Sequence, residues 1–180
     1  SPDPGELVPV IGVGPIGLAA VMVLKHLGAV PAALDISQYR VTMAEGFGAT
    51  RAVVNDSPER AEAFAAEMRS AGVRRVVLCA SSHDAAALGL RCLVPQGSML
   101  VLAGLHRWPL DSYHMIGIGD KSILGRWHYH RIEWPELLAA VEGGLPAHDL
   151  VTHTYPFAEA DAAYRAFAGG ETGKVVLHPD

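Results

Sequence analysis

Short apolar, β-branched runs alternate with Ala-rich stretches of helical period along the first hundred residues, and Gly, Pro, Asn, Asp or Ser marks each switch. Residues 6–12 (ELVPVIG) predict a buried strand, in which Pro9 is awkward because it removes a ladder donor. Residues 15–27 are apolar nearly all round and close at Gly28, the pattern of a helix packed on a sheet, with Pro15 suited to its first turn. A strand over 31–35 follows, then a helix capped by Ser37 and ending near Phe47. The pattern repeats with strand 51–55, helix 58–71, strand 74–80, helix 84–94, a turn at residues 95–97 and strand 98–104. Strict alternation of this kind predicts an α/β fold, a Rossmann-type doubly wound parallel sheet covered on both faces.

After Gly104 the period weakens. Residues 105–120 read as a long loop, 121–125 as a strand, 135–142 as a helix, 150–155 as a strand, 158–168 as a helix and 174–178 as a last strand. We expect a dinucleotide-binding unit over residues 1–120 and a C-terminal α/β extension over 121–180 that completes the sheet. No repeat, low-complexity tract or charge block interrupts the chain.

Composition narrows the function. Half of the 180 residues are apolar and 18% are charged, which excludes a disordered chain. Fourteen Lys and Arg against nineteen Asp and Glu give a net charge of −5, which disfavours a nucleic-acid partner. Cys79 and Cys92 show neither a CxxC nor a disulfide-framework spacing. No run is long and apolar enough for a membrane span, and the first residues carry neither an initiator Met nor a signal-peptide pattern. We therefore expect a cytoplasmic protein whose sequence begins inside something longer.

The candidate chemistry sits at Gly12, Gly14 and Gly17, a GxGxxG following a strand and opening a helix at Pro15 and Ile16. Gly12 serves the tight turn, Gly14 the close approach of a pyrophosphate and Gly17 the helix–strand contact, while the helix N-terminus attracts the anion. Asp35 ends the next strand at the spacing expected of a ribose-binding carboxylate. A 2′-phosphate would meet that carboxylate, so NAD is favoured over NADP. Arg40 argues the other way, because it could turn toward a phosphate.

These residues, with Gly28, Ala29, Ala44, Gly48, Ala49 and Thr50, resemble the medium-chain dehydrogenase/reductase superfamily, and more narrowly its zinc-dependent alcohol and polyol dehydrogenases. The resemblance continues through residues 76–82, 94–97, 102–105, 150–157 and 173–179, essentially the whole chain. It implies that NAD(H) is held by the Gly12–Gly17 turn, by Asp35 with Ile36 and Arg40, by Ala80, Ser81 and Ser82, by Ala103, Gly104 and Leu105 beside the nicotinamide, and by Lys174 near the pyrophosphate. It also implies hydride transfer with a small alcohol or carbonyl substrate, and a homodimer formed through residues 105–120 and 122–124. The catalytic zinc and its ligands would lie in an N-terminal domain outside these residues, with 121–180 the remnant of its surroundings, so cofactor binding with little turnover is expected. Ser82 departs from the family, which commonly has Gly there. A non-catalytic NAD(H)-binding or assembly module, and a zinc-independent quinone or enoyl reductase, are the alternatives.

Other candidates carry less. His128 and His130, with His106 and His114 nearby and Glu133, have a spacing compatible with a metal, but alternate histidines in an extended or loop segment more often simply face solvent. Cys79 and Cys92 read as core thiols. Trp108, Trp127 and Trp134 read as packing under a loop or as an interface rather than substrate contacts.

Overall fold

The computed structural model describes residues 1–105, 107–126 and 128–179. Six strands make one parallel sheet: β1 (Leu7–Ile11), β2 (Val30–Asp35), β3 (Arg51–Val54), β4 (Arg75–Leu78), β5 (Ser98–Val101) and β6 (Ser122–Gly125). Their order is β3-β2-β1-β4-β5-β6, so the chain winds outward from β1 and then restarts at β4. That reversal opens a crevice at the carboxyl ends of the central strands.

Four helices connect the first five strands: α1 (Pro15–His26), α2 (Gln38–Gly46), α3 (Pro58–Ser70) and α4 (His83–Cys92). Their burial splits the core in two. Ile11, Leu34, Phe64, Leu78, Leu88 and Met99 belong to one cluster, while Val8, Val10, Leu18, Val21 and Val77 belong to the other. Alternate residues of the same strands thus enter opposite clusters, as a sheet covered on both faces requires. Serine hydroxyls cap α2, α3 and α4, Ser37 accepting from the Arg40 N–H, Ser57 from Arg60 and Ser82 from Ala85.

Pro9 is tolerated because of register. Gly12 N–H donates to the Leu34 carbonyl and Cys79 N–H to the Ile11 carbonyl, so odd positions of β1 face β4. The β1–β4 ladder begins only at Val10 opposite Val77, so the missing donor of Pro9 falls at its start.

Between β5 and β6, the expected loop carries a short helix, α5 (Ser112–Met115), and a 3-10 turn at Gly117–Gly119. Asp111 caps α5 through the His114 N–H, a local device too short to show as a period. Trp108, Leu110, Met115 and Ile116 pack partly buried on the core, whereas Trp127 and His106 lie outside the described residues. β6 completes the sheet, beyond the division expected at residue 120.

The rest of the chain forms α6 (Trp134–Glu142), β7 (Val151–Pro156), α7 (Ala160–Ala168) and β8 (Lys174–His178). β7 and β8 pair in parallel with each other and not with the six-stranded sheet. This unit meets the body through Leu150, packed on the core, and through the Ser37 hydroxyl, which donates to the Gly170 carbonyl at 3.3 Å. Among the described residues, no helix is long and apolar enough to cross a membrane.

Candidate functional site

The turn from β1 to α1 is built by exclusion of side chains. Gly12 has φ +85°, and a Cβ there would fall 2.7 Å from the Ala80 Cβ. A Cβ on Gly17 would lie 2.0 Å from the Gly12 carbonyl oxygen, so α1 crosses the end of β1 at a separation no other residue permits. Over Gly14 the space is open, the nearest neighbour being an Arg40 guanidinium nitrogen 3.7 Å from a would-be Cβ. Unlike the three serine-capped helices, α1 has no side-chain cap, and its first turn carries no acidic residue. Its first N–H groups are left for an anion.

Asp35 ends β2 beside this turn and is only 7% exposed. One carboxylate oxygen accepts from the Val13 N–H at 2.7 Å and the other from the Ser37 N–H at 2.9 Å. The side chain thus staples the glycine turn to the β2–α2 corner, and each oxygen keeps a lone pair for a second donor. Arg40, in the first turn of α2, has its Nε buried with no hydrogen-bond partner, while Nη1 of the same guanidinium lies beside the open space over Gly14.

These groups border a cleft of about 830 Å³ lined by Gly12, Gly14, Asp35, Ile36 and Arg40, and by Ala80, Ser81 and Ser82 at the end of β4. The volume lies in the range of small-molecule and cofactor sites. Pro15, Ile16 and Gly17 form the start of α1 at its edge, with Ile16 exposed. The cleft does not include Ala103, Gly104 and Leu105, which follow β5, or Lys174, which is exposed at the start of β8. Ser82 has its hydroxyl engaged in capping α4, so the side chain standing where the family has Gly is turned to a structural use.

Several cleft residues escape sequence reasoning. Asn55, Asp56, Ser57, Pro58 and Ala61 enter from the β3–α3 junction, and Asp84, Ala85, Leu88 and Arg91 from α4. The signal available for them is topological: in a doubly wound sheet, whatever follows each strand faces the same crevice, so residue 55 becomes a neighbour of Asp35. Cys79 also lines the cleft, just past β4, and burial pushes its thiol up to about 12, leaving it protonated and inert at neutral pH. Cys92 is fully buried and pushed up to about 12 for the same reason.

The residues fit a dinucleotide: an uncapped helix start under an open glycine, a carboxylate with spare acceptors, and an unsatisfied guanidinium between them. Among the described residues, no group of three or more His, Cys, Asp and Glu is placed to hold a metal. Glu133, one of the histidine-cluster candidates, instead pairs with Arg126 and accepts from the His130 N–H.

Comparison with known proteins gives the family and the fold. Residues 15–143 match the zinc-binding dehydrogenase family. L-threonine 3-dehydrogenase of Burkholderia vietnamiensis is 33% identical over 178 residues, a span covering 96% of this chain and 51% of that protein. The Chromobacterium violaceum L-threonine 3-dehydrogenase is 31% identical over the same shares. The chain spans about half the length of the curated relatives it matches. Among solved structures, the alcohol dehydrogenase TADH from Thermus sp. ATN1 superposes with a TM-score of 0.83 at 25% identity, covering 98% of this chain and 52% of that one. The 2R,3R-butanediol dehydrogenase of Bacillus subtilis, 21% identical, shares the fold with a TM-score of 0.88 over 100% of this chain and 52% of that one.

Proposed function

This chain belongs to the zinc-binding dehydrogenase family, and we propose that it is the NAD(H)-binding portion of an alcohol dehydrogenase-like oxidoreductase acting on a small alcohol or carbonyl substrate. The observation that carries the reading is the coupling of the open, uncapped Gly12–Gly17 turn to the buried Asp35 carboxylate across one cleft. Bound NAD supplies the hydride acceptor, and NADH the donor. The chain's own residues bind and orient it. The α1 N-terminus takes the pyrophosphate, and the spare lone pairs of Asp35 take the ribose hydroxyls. Ala80 limits the depth at which the backbone is approached. Ala103, Gly104 and Leu105 continue from β5, on the β4 side of the switch point, where the nicotinamide half of the dinucleotide would extend. Lys174 would reach the pyrophosphate only from outside the cleft lining.

NAD is preferred in this reading because both Asp35 oxygens are fixed in place, so a 2′-phosphate would meet an immovable negative charge. The lean of Arg40 toward Gly14 favours a role for it on the pyrophosphate side of the turn. Thermal unfolding with NAD, with NADP and without ligand tests both points. NAD at a hundredfold over Kd adds about 2.7 kcal/mol. No stabilisation by either cofactor sinks the reading, and stronger stabilisation by NADP reverses the role of Asp35.

Turnover belongs to a larger assembly in this proposal, with zinc held by residues other than these, so the 180 residues bind cofactor and oxidise little or no alcohol. Measured alcohol oxidation by this chain without an added partner would overturn that part. The exposed outer edge of β6, where Leu124 is 53% exposed, supports a homodimer through a continued sheet. Light scattering at micromolar concentration checks it, a monomer counting against. Two free thiols fit the cytoplasmic setting.

A further inference from the structure

With a pyrophosphate over the glycine turn and a ribose at Asp35, the remaining arm of the cleft receives the base. The sheet order sets its direction. β1, β2 and β3 are successive neighbours, so the path from the turn past Asp35 leads toward Asn55, whose N–H donates to the Asp35 carbonyl. Pro58 and Ala61 of α3 and Ala85 and Leu88 of α4 line that arm. These surfaces suit a flat aromatic ring and carry no information about its edge.

Information must come from polar side chains, and most of those in the arm are already committed. Asp56 pairs with Arg60 at 2.9 Å, Arg91 pairs with Glu62 at 3.0 Å, and the Ser57 and Ser82 hydroxyls cap their helices. The Asn55 amide and the Asp84 carboxylate are different: neither makes a side-chain hydrogen bond or ion pair with any described residue. A carboxylate is an acceptor only, so it selects for a base edge that donates.

We propose that Asp84 determines the base specificity of the cleft, its carboxylate accepting a hydrogen bond from the exocyclic amino group of adenine. The proposal rests on reading the cleft as a dinucleotide site and adds what that reading leaves open, the discrimination among bases. Hypoxanthine and guanine place a carbonyl oxygen where adenine has its amino group, and that oxygen would face the Asp84 carboxylate with no proton between them. Asp84 also lies in the first turn of α4, where its charge favours the helix dipole. That contribution is the same whichever dinucleotide is bound, so selectivity separates the two roles.

The experiment is calorimetric titration of the 180-residue chain with NAD and with nicotinamide hypoxanthine dinucleotide, repeated on Asp84→Asn. NAD is expected to bind about fivefold more tightly, the worth of one solvent-accessible hydrogen bond. In Asp84→Asn the amide both donates and accepts, so the ratio of the two dissociation constants falls toward one, whatever happens to the unfolding midpoint of the free protein. Equal affinities in the natural chain overturn the proposal while leaving the cofactor reading intact, and that comparison needs no variant to fold. A ratio unchanged by Asp84→Asn overturns it too. Failure of both dinucleotides to bind removes the cofactor reading and this inference together.

Discussion

In the body of the molecule, β1 and β4 have strands on both sides and helices on both faces, and Val8, Val10, Ile11, Val76 and Leu78 are withdrawn from solvent. In the C-terminal unit, β7 and β8 have only each other. No residue of α6 is buried although five of its nine are Leu, Ala or Val, and α7 buries only Ala163. Ile132 is 88% exposed, and Tyr129, Trp134, Val151, Phe157 and Tyr164 are also exposed. Both regions are α/β, yet only one closes around a core. A six-stranded sheet can bury both faces of its central strands, whereas a two-stranded parallel pair has two open edges and one helix to cover it. The body therefore carries the stability and the cleft, and the C-terminal unit rests on it through α1, Leu150 and the Ser37–Gly170 hydrogen bond.

The largest expected effect puts the two regions side by side. Phe64→Ala removes a fully buried ring from the body and should cost about 3–5 kcal/mol in urea unfolding. Leu137→Ala, in a helix position already 43% exposed, should cost about 1 kcal/mol or less. Equal losses would mean that the C-terminal unit buries far more than its surface shows, and the contrast would collapse.

Next in size are two changes at the cleft. Gly17→Ala drives a methyl into the Gly12 carbonyl, and NAD binding measured by calorimetry should fall by about a hundredfold or more as the turn and α1 separate. Asp35→Ala leaves the Val13 and Ser37 N–H groups unpaired and should cost about 2 kcal/mol even without cofactor. The control from the other region is Lys174→Ala: the side chain is exposed, and NAD affinity should change by about twofold at most. A large loss with Lys174→Ala would show that the C-terminal unit takes part in binding, sharpening the comparison in its favour.

The physics that stabilises the body also governs how much of it can be read in advance. Its strands and helices are legible because burial on two faces forces apolar runs and Gly, Pro and Ser punctuation. Ends differ by one to three residues, as for α1, expected over 15–27 and found over Pro15–His26, and for β5, expected over 98–104 and found over Ser98–Val101. The glycine turn and Asp35 are legible as a motif, but the double backbone bond to Asp35 is not. It depends on how closely the β1 and β2 ends approach, which no spacing in sequence records. Asn55 and Asp84 enter the same cleft from 20 and 49 positions beyond Asp35 (55 − 35 and 84 − 35) and become visible only once the strand order is known. The pairing of β7 with β8 alone is equally silent in sequence, because a strand read from β-branched residues does not name its neighbour.

A smaller effect concerns the alkaline limit of the body. Burial pushes the Cys79 and Cys92 thiols up to about 12, so the folded state prefers them protonated. A group with a raised value of this kind contributes stability that is whole below the unfolded thiol range near 8.5 and is lost as pH climbs through it toward 12. Unfolding midpoints should therefore decline above about pH 9, and Cys92→Ala, though less stable at neutral pH, should decline less steeply. A parallel decline in both proteins would assign the alkaline limb to other groups.

The least effect is expected at α5, where no residue is fully buried, Met115 packs partly on the core and the Asp111 cap closes the first turn. His114 donates its backbone N–H to one Asp111 oxygen at 3.2 Å and approaches the other with Nδ1 at 2.7 Å. The side-chain bond and then the backbone bond hold the Asp111 carboxyl below the usual carboxylate range. The sign follows from the lowered value: the contribution is present above the unfolded carboxylate range and disappears as pH falls through the folded one. Asp111→Asn keeps an N-cap acceptor and loses the charge, so it should lower neutral-pH stability slightly and flatten the acid limb. Carbon-detected NMR titration of Asp111 checks the cause directly. A value at or above that of an unfolded aspartate would mean that the His114 contact does not persist in solution, leaving the packing of Met115 to hold α5 to the body.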